Sequence, residues 1–257
     1  MNYSVIVAED ETLLQKNIIK KIEQLDLGFH VAGAAQTGIQ ALELIEEHNP
    51  YLLITDIRMP VMDGLELIEK ARETHPELDC VILSGFSDFS YAQTAIHLKV
   101  REYLLKPVDT EKLAEVLKQL RREYILKKNE LEKTFSPAMS ETASPKDIAN
   151  LLKEYLNQEF NKEINLNLIA ENLNYSSGYL TKIFTQYFEI SPTKYLINLR
   201  MQKARQMLES SSDYSVRQIG EAVGYPEQGY FSRIFKKYVG VSPQKYKENY
   251  SAGSETR

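Results

Sequence analysis

Two architectures in series are expected: an α/β doubly wound five-stranded parallel sheet, then an all-α domain built from a duplicated helical unit. Three observations predict this. Five short β-type runs alternate with helical stretches over the first half, the second half has helical spacing throughout, and that half repeats itself at a nearly fixed offset. A chain of 257 residues also has room for two domains, at ~100–200 residues each.

The β-type runs are Tyr3–Val7, Phe29–Ala34, Leu52–Thr55, Cys80–Leu83 and Glu102–Leu105. Parallel strands buried on both faces read as continuous apolar runs, as Tyr51-Leu52-Leu53-Ile54 does. Between them lie helical spacings such as Leu14, Ile18, Ile22, Leu25. Strand and helix alternating in this way argue for a parallel sheet covered on both sides. This domain is placed at residues 1–127.

The last helix of the first half starts near Thr110. Leu113, Leu117, Leu120, Tyr124 and Leu131 follow a 4-3-4-7 spacing, a heptad seam that predicts pairing with a second copy, the alternative being an intramolecular packing face. Residues 128–145 read as helix extension and linker, because Thr134–Pro145 is polar and carries two prolines.

The second half is placed at residues 146–250, with 251–257 as a tail. Ile169, Leu173-x-Tyr175, Gly178-Tyr179, Ile183-Phe184 and Ser191-Pro192-x-Lys194-Tyr195 recur as Ile219, Val223-x-Tyr225, Gly229-Tyr230, Ile234-Phe235 and Ser242-Pro243-x-Lys245-Tyr246. The offset is 50 residues up to Tyr225 and 51 beyond it. Each copy is a helix, a turn and a helix. A long helix, roughly Thr193–Leu208, joins them.

Composition narrows the setting. The single cysteine, Cys80, excludes a disulfide framework within the chain. The start MNYSVIVAEDE lacks the pattern of a signal peptide, and no stretch approaches the ~20 apolar residues of a membrane span. A soluble, cytoplasmic protein with no membrane partner is expected. The net charge of −5 hides a split: residues 1–144 carry 16 Lys and Arg against 24 Asp and Glu, residues 145–257 carry 15 against 12. Only the basic second half is suited to a polyanion.

In an open parallel sheet, ligands bind beyond the carboxyl ends of the strands. There the first run gives way to Glu9 and Asp10, the third to Asp56, the fourth to Ser84 and the fifth to Lys106-Pro107. Three carboxylates gathered together need a cation, and hard oxygen ligands suit Mg²⁺. An Asp carboxylate attacking a phosphoryl group yields an acyl phosphate. Lys106 and the metal would stabilise charge on the transferring oxygens, and Ser84 can donate to the attached group. An isolated Asp63-Gly64 would read only as a turn, and Tyr103 alone as core packing. The four histidines show no ligand spacing.

Asp56-x-Arg58-Met59-Pro60-x-Met62-Asp63-Gly64, with Glu9-Asp10, Ser84 and Lys106-Pro107, resembles the receiver domain of two-component response regulators over residues 2–127. The resemblance implies a flavodoxin-like fold and Asp56 as phosphoacceptor for a sensor histidine kinase. It implies Asp10 and Asp56 as metal ligands with Glu9 close by, and the Arg58 backbone carbonyl completing the set. Ser84 and Tyr103 would be the switch pair, and Lys106 the phosphate contact. Glu9 stands where the family often has Asp.

Each copy of the repeat has the layout of a helix-turn-helix, whose second helix enters the major groove with its N-terminal residues at base edges. The helices are read as Leu166–Leu173 with Ser177–Tyr187, and Val216–Val223 with Gln228–Tyr238. Ser176 and Ser177 suit N-cap duty. Tyr179, Ile183, Phe184 and Tyr230, Ile234, Phe235 read as core stripes. Thr181, Lys182 and Thr185, and Ser232, Arg233 and Lys236, are groove-facing types. Arg200, on the joining helix, suits a phosphate contact or packing. Gln228, Glu227 and the first copy's Ser177 and Lys182 would take over readout if Arg233 met only the backbone.

Residues 148–250 resemble the arabinose-regulator (AraC) family of DNA-binding domains. Ile219-Gly220-Glu221-Ala222-Val223-Gly224-Tyr225, Tyr230–Lys237 and Gly240-Val241-Ser242-Pro243 carry the likeness. It implies seven helices with two helix-turn-helix units. The departure is Pro226-Glu227-Gln228-Gly229, which leaves open how the second recognition helix begins.

The leading expectation is a transcription factor, an activator, whose binding to promoter DNA is controlled by phosphorylation. A homodimer when phosphorylated and contact with RNA polymerase go with it. A ligand-sensing AraC-type regulator would need a β-barrel pocket, and the first half lacks antiparallel runs, so no small-molecule effector is expected. An enzyme on a doubly wound scaffold would need a Gly-rich phosphate loop or a nucleophile–His pair, neither of which is present.

Overall fold

A computed structural model describes residues 2–85, 89–210 and 214–254. The chain parts into two compact units. The first takes residues 1–138 together with 166–178, and the second takes 139–165 and 179–257.

The first unit holds β1 (Tyr3–Ala8), α1 (Thr12–Gln24), β2 (Phe29–Ala35), α2 (Gly38–His48), β3 (Leu52–Asp56), α3 (Gly64–Thr74), β4 (Asp79–Ser84), α4 (Phe89–His97), β5 (Glu102–Leu105) and α5 (Thr110–Leu131). The sheet order is β2-β1-β3-β4-β5, and all four pairings are parallel. Alternate residues of each strand face opposite sides. Val5, Val7, Leu52, Ile54, Val81 and Leu83 meet Ile18 and Ile22 of α1 and Leu113 and Leu117 of α5. Ile6, Leu53, Cys80 and Ile82 meet Ala41 and Ile45 of α2, Leu67 and Ile68 of α3, and Ala95 of α4. Cys80 is fully enclosed, and burial pushes its thiol up to about 11.

The heptad seam is spent inside this unit. Leu113, Leu117, Leu120 and Tyr124 are buried in the first cluster and Leu131 packs against it. The Tyr124 hydroxyl also donates to Asp79 Oδ2 at 2.6 Å. The expected pairing of copies through these residues is therefore corrected in favour of the alternative: the stripe is an intramolecular packing face, set against the sheet and Leu168.

The polar stretch after α5 contains the boundary between the two units and carries short helical structure. Phe135 is fully buried. Pro137 opens α6 (Pro137–Thr142) and Pro145 opens α7 (Pro145–Glu159). Proline fits the first helical position because its missing N–H would be unpaired there anyway. Ser144 and Asp147 close a capping box over the start of α7.

The remaining helices are α8 (Leu166–Asn172), α9 (Ser177–Phe188), α10 (Pro192–Ser210), α11 (Val216–Ala222), α12 (Gln228–Val239) and α13 (Pro243–Ser254). α13 thus covers most of the expected tail, and residues 255–257 lie outside the described ones. The helices of the two repeats begin where the sequence places them and end within a residue of it. The repeat does not, however, fall within one unit. α8 belongs to the first, and α9 starts at the boundary. The core of the second unit gathers Ile197, Met201, Ala204 and Leu208 of α10, Val216 and Ile219 of α11, and Phe231, Ile234 and Phe235 of α12.

Candidate functional site

The strand order reverses at β1 and β3, and the crevice that opens there holds the predicted acids. Carboxylate oxygens of Glu9, Asp10 and Asp56 lie within 4.8 Å of one another. Glu9 is fully buried, Asp56 is buried at the last position of β3, and Asp10 is exposed. Lys106, just after β5, places its ammonium 2.7 Å from Asp56 Oδ2 and 2.6 Å from Glu9 Oε2. The other Asp56 oxygen, Oδ1, accepts from the Ile57 N–H at 2.7 Å.

Electrostatics at this point are set by burial. Burial, helped by the charge of Asp56, raises the Glu9 carboxyl above the usual carboxylate range even though Lys106 works the other way. For Lys106, burial works against the charge, but the hydrogen bond to Asp56 and the negative charges of Asp56 and Glu9 outweigh it and hold the ammonium. Neither Glu9 oxygen takes a hydrogen bond of regular geometry; its contact with Lys106 is an ion pair. An enclosed carboxylate with open oxygen valence, beside two more, fits a hard divalent cation such as Mg²⁺. Arg58 lines a cleft here together with Asp10, Ile57, Met59, Pro60, Asp63 and Tyr91.

Local sequence explains the shape of the loop after β3. Val61 adopts φ +72°, a conformation β-branched residues rarely take. Gly64 donates its N–H to the Ile57 carbonyl at 2.8 Å. Asp63, which alone reads only as a turn, caps α3 by accepting from the Glu66 N–H. Ser84 is buried at the end of β4, and the carbonyl of Ser84 accepts from the Lys106 N–H at 2.8 Å. Tyr103 pairs with Ile82 in the sheet and packs, partly buried, against the second cluster.

The helical candidates separate into three groups. On α12, Arg233, Lys236 and Gln228 are exposed and Ser232 is half-buried; on α9, Lys182 and Thr185 are exposed and Thr181 is half-buried. Ser176 is exposed, whereas Ser177 is half-buried and its Oγ accepts from Asn49 Nδ2 at 2.9 Å.

Two candidates have structural work instead. Arg200 is buried: Nε donates to the Phe160 carbonyl at 2.6 Å and Nη2 to the Lys162 carbonyl at 2.7 Å. Its guanidinium lies 5.0 Å from the centre of the Tyr225 ring. Of the two roles read for it, the structure gives it packing; enclosed in this way, its guanidinium is not presented to a phosphate. Glu227 is the N-cap of α12, its carboxylate accepting from the N–H groups of Gly229 and Tyr230. That is how the second recognition helix begins.

The core stripes need correction too. Leu180, Ile183 and Phe184 are buried on α9, as Phe231, Ile234 and Phe235 are on α12. Tyr179 is 40% exposed, one residue off the buried stripe, and stands with the exposed side chains of α9. Its neighbour Leu180 was the signal: a purely aliphatic residue fills a core position without a hydroxyl to satisfy.

Comparison with known proteins bears on both units. Residues 5–118 match the response regulator receiver domain, and residues 169–249 match a helix-turn-helix domain. The transcriptional regulatory protein HptR of Staphylococcus aureus (strain MRSA252) is 28% identical over 250 residues, covering 95% of this chain and 98% of its own length. An uncharacterized response regulatory protein of Staphylococcus epidermidis is 30% identical over 252 residues, with coverage of 95% and 98%. Among solved structures, the REC domain of AraT, a response regulator from Geobacillus stearothermophilus, is similar at 37% identity and TM-score 0.47. It covers 49% of this chain and 98% of that one.

Proposed function

The chain belongs to the response regulators, with a receiver domain followed by an AraC-type helix-turn-helix DNA-binding domain, and on that premise we propose that phosphorylation of Asp56 by a sensor histidine kinase controls its sequence-specific binding to promoter DNA. The observation that carries this reading is Lys106 held within 2.7 Å of Asp56, in a crevice with two further carboxylates.

In the proposed step an Asp56 oxygen attacks phosphorus and the P–N bond of a phosphohistidine breaks. The electron pair of that bond returns to the imidazole nitrogen, which takes up a proton. A bound Mg²⁺, held by Asp10, Asp56 and the Arg58 carbonyl with Glu9 close by, would supply neutralisation of the transferring oxygens. Lys106 exchanges its hold on Asp56 Oδ2 for a phosphoryl oxygen. Ser84 donates its hydroxyl to another, and Tyr103 follows as the second member of the switch pair.

Readout of DNA falls to α9 and α12. Lys182 with Thr181, and Arg233 and Lys236 with Ser232 and Gln228, present the donors that grooves and phosphates accept. The output is transcription activation through RNA polymerase, with no small-molecule effector. Pairing of phosphorylated copies, if it accompanies binding, uses a surface other than the buried α5 stripe; Ile96 and Leu105, 75% and 53% exposed, are apolar side chains available for it. No helix among the described residues is long and apolar enough to cross a membrane.

The test is phosphoryl uptake from a small acyl phosphate with Mg²⁺. One base-labile group per chain is expected, and none for Asp56→Asn. Undiminished uptake by that variant overturns the assignment.

A further inference from the structure

Helix α8 is the leading helix of the first helix-turn-helix, yet it packs into the first unit, on the receiver. Six of its seven residues are buried: Leu166, Asn167, Leu168, Ile169, Ala170 and Asn172. Leu168 is fully enclosed in the same apolar cluster as Tyr3, Tyr51, Leu120 and Tyr124. A solvent-facing position on a supporting helix would not carry that leucine without cost, since leaving a Leu side chain in water is unfavourable.

The polar side chains around it are met one by one. Asn49, left-handed at the C-cap of α2, donates from Nδ2 to Asn167 Oδ1 at 2.8 Å and to Ser177 Oγ at 2.9 Å. Asn167 Nδ2 returns a bond to the Asn49 carbonyl at 3.0 Å. Both oxygens of Glu171 are taken, Oε1 by the Tyr51 hydroxyl at 2.7 Å and Oε2 by the Lys128 ammonium at 3.1 Å. Asn172 Nδ2 donates to the Lys128 carbonyl at 3.0 Å. Buried polar groups are tolerated only when satisfied, and here the receiver satisfies them.

We propose that the receiver face formed by Asn49, Tyr51 and Lys128 is a docking surface for the chain's own α8, and that this clasp and DNA compete for the start of α9. The competition follows from Ser177. It is the first residue of α9, the end of a recognition helix that enters the groove, and its hydroxyl is occupied by a receiver side chain. DNA binding therefore requires the clasp to open. The inference rests on the reading of α8 and α9 as a DNA-binding pair.

The test uses the full chain and a labelled duplex that the chain itself recovers from a random pool. Only receiver-side residues are changed, in Asn49→Ala/Tyr51→Phe/Lys128→Ala. Without phosphorylation, this variant is expected to bind the duplex on the order of tenfold more tightly, as the competent fraction rises. Amide exchange over residues 166–177 should quicken, while that of β1 and β3 stays as in the unchanged chain. Tyr51→Phe alone, which removes a single oxygen, should move both readouts the same way. A further variant, Asn49→Cys/Ser177→Cys, should lose DNA binding on oxidation and regain it on reduction. Equal affinity of the triple variant and parent, or equal binding by the oxidised and reduced forms, overturns the clasp while leaving DNA binding in place. Failure of parent and variants alike to recover any duplex overturns the DNA-binding reading, and the competition with it.

Discussion

A Cβ placed on Gly64 would stand 2.0 Å from the carbonyl oxygen of Asp56. The residue that opens α3 and the acid that ends β3 therefore meet at a contact that admits no side chain. Gly64→Ala is expected to push the β3–α3 loop aside, at a cost of ~1–3 kcal/mol, and to slow phosphoryl uptake at Asp56. Thermal unfolding and uptake from an acyl phosphate check this. Uptake at the parent rate would show that the loop yields without disturbing the carboxylate.

The α5 stripe makes an opposite claim to the one its spacing suggests. Leu117 is fully buried against the sheet, so Leu117→Ala should destabilise the chain by ~2–5 kcal/mol. Sedimentation should show the same association state as the parent. Loss of association with unchanged unfolding would restore the seam as an interface between copies.

Arg200 predicts a stability effect rather than a binding one. Removing it leaves the Phe160 and Lys162 carbonyls without their donors, each unpaired group costing ~1–3 kcal/mol. Arg200→Ala and Arg200→Lys should both lower the midpoint of urea unfolding, because an ammonium cannot span both carbonyls and lie along Tyr225. Base preference should stay the same. A variant of parental stability that has lost affinity would place Arg200 at the DNA.

The N-cap of α12 and a side chain in its middle should fail in different ways. Glu227→Ala removes a cap worth ~0.5–2 kcal/mol, so it should weaken binding to every sequence alike. Arg233→Ala should cost ~1–3 kcal/mol and relax preference at one base pair. Binding to a panel of single-base variants distinguishes them, and a uniform loss for Arg233→Ala would make it a phosphate contact.

These cases also show which features were legible in the chain's sequence alone. β3 and β4 were, because strands buried on both faces are written as unbroken apolar runs. Glu9, Asp10, Asp56, Ser84 and Lys106 were, because each stands at or just beyond the carboxyl end of a β-type run. The role of Leu113–Tyr124 was not: over three turns, a helix lying on a sheet and a helix lying on its twin use the same spacing. Pro137 and Pro145 marked the stretch between the units but not the helices they open, because proline both ends helices and begins them. Tyr179 and Leu180 differ by one step around a helix, and two adjacent apolar residues do not say which one faces inward. Arg200 reads as a surface cation until the carbonyls that receive it are known. Least visible was the home of α8, whose Asn167, Glu171 and Asn172 look like an ordinary wetted face.

Cys80 has a use outside signalling. It is the chain's single thiol, it sits in β4, an inner strand of the sheet, and burial holds it in its unreactive protonated form. A thiol reagent can reach it only while the strands around it are parted, so the pace of labelling times those openings. The native chain thus contains a clock for the breathing of its receiver. It can be read with and without phosphorylation, and no residue need be changed to install it.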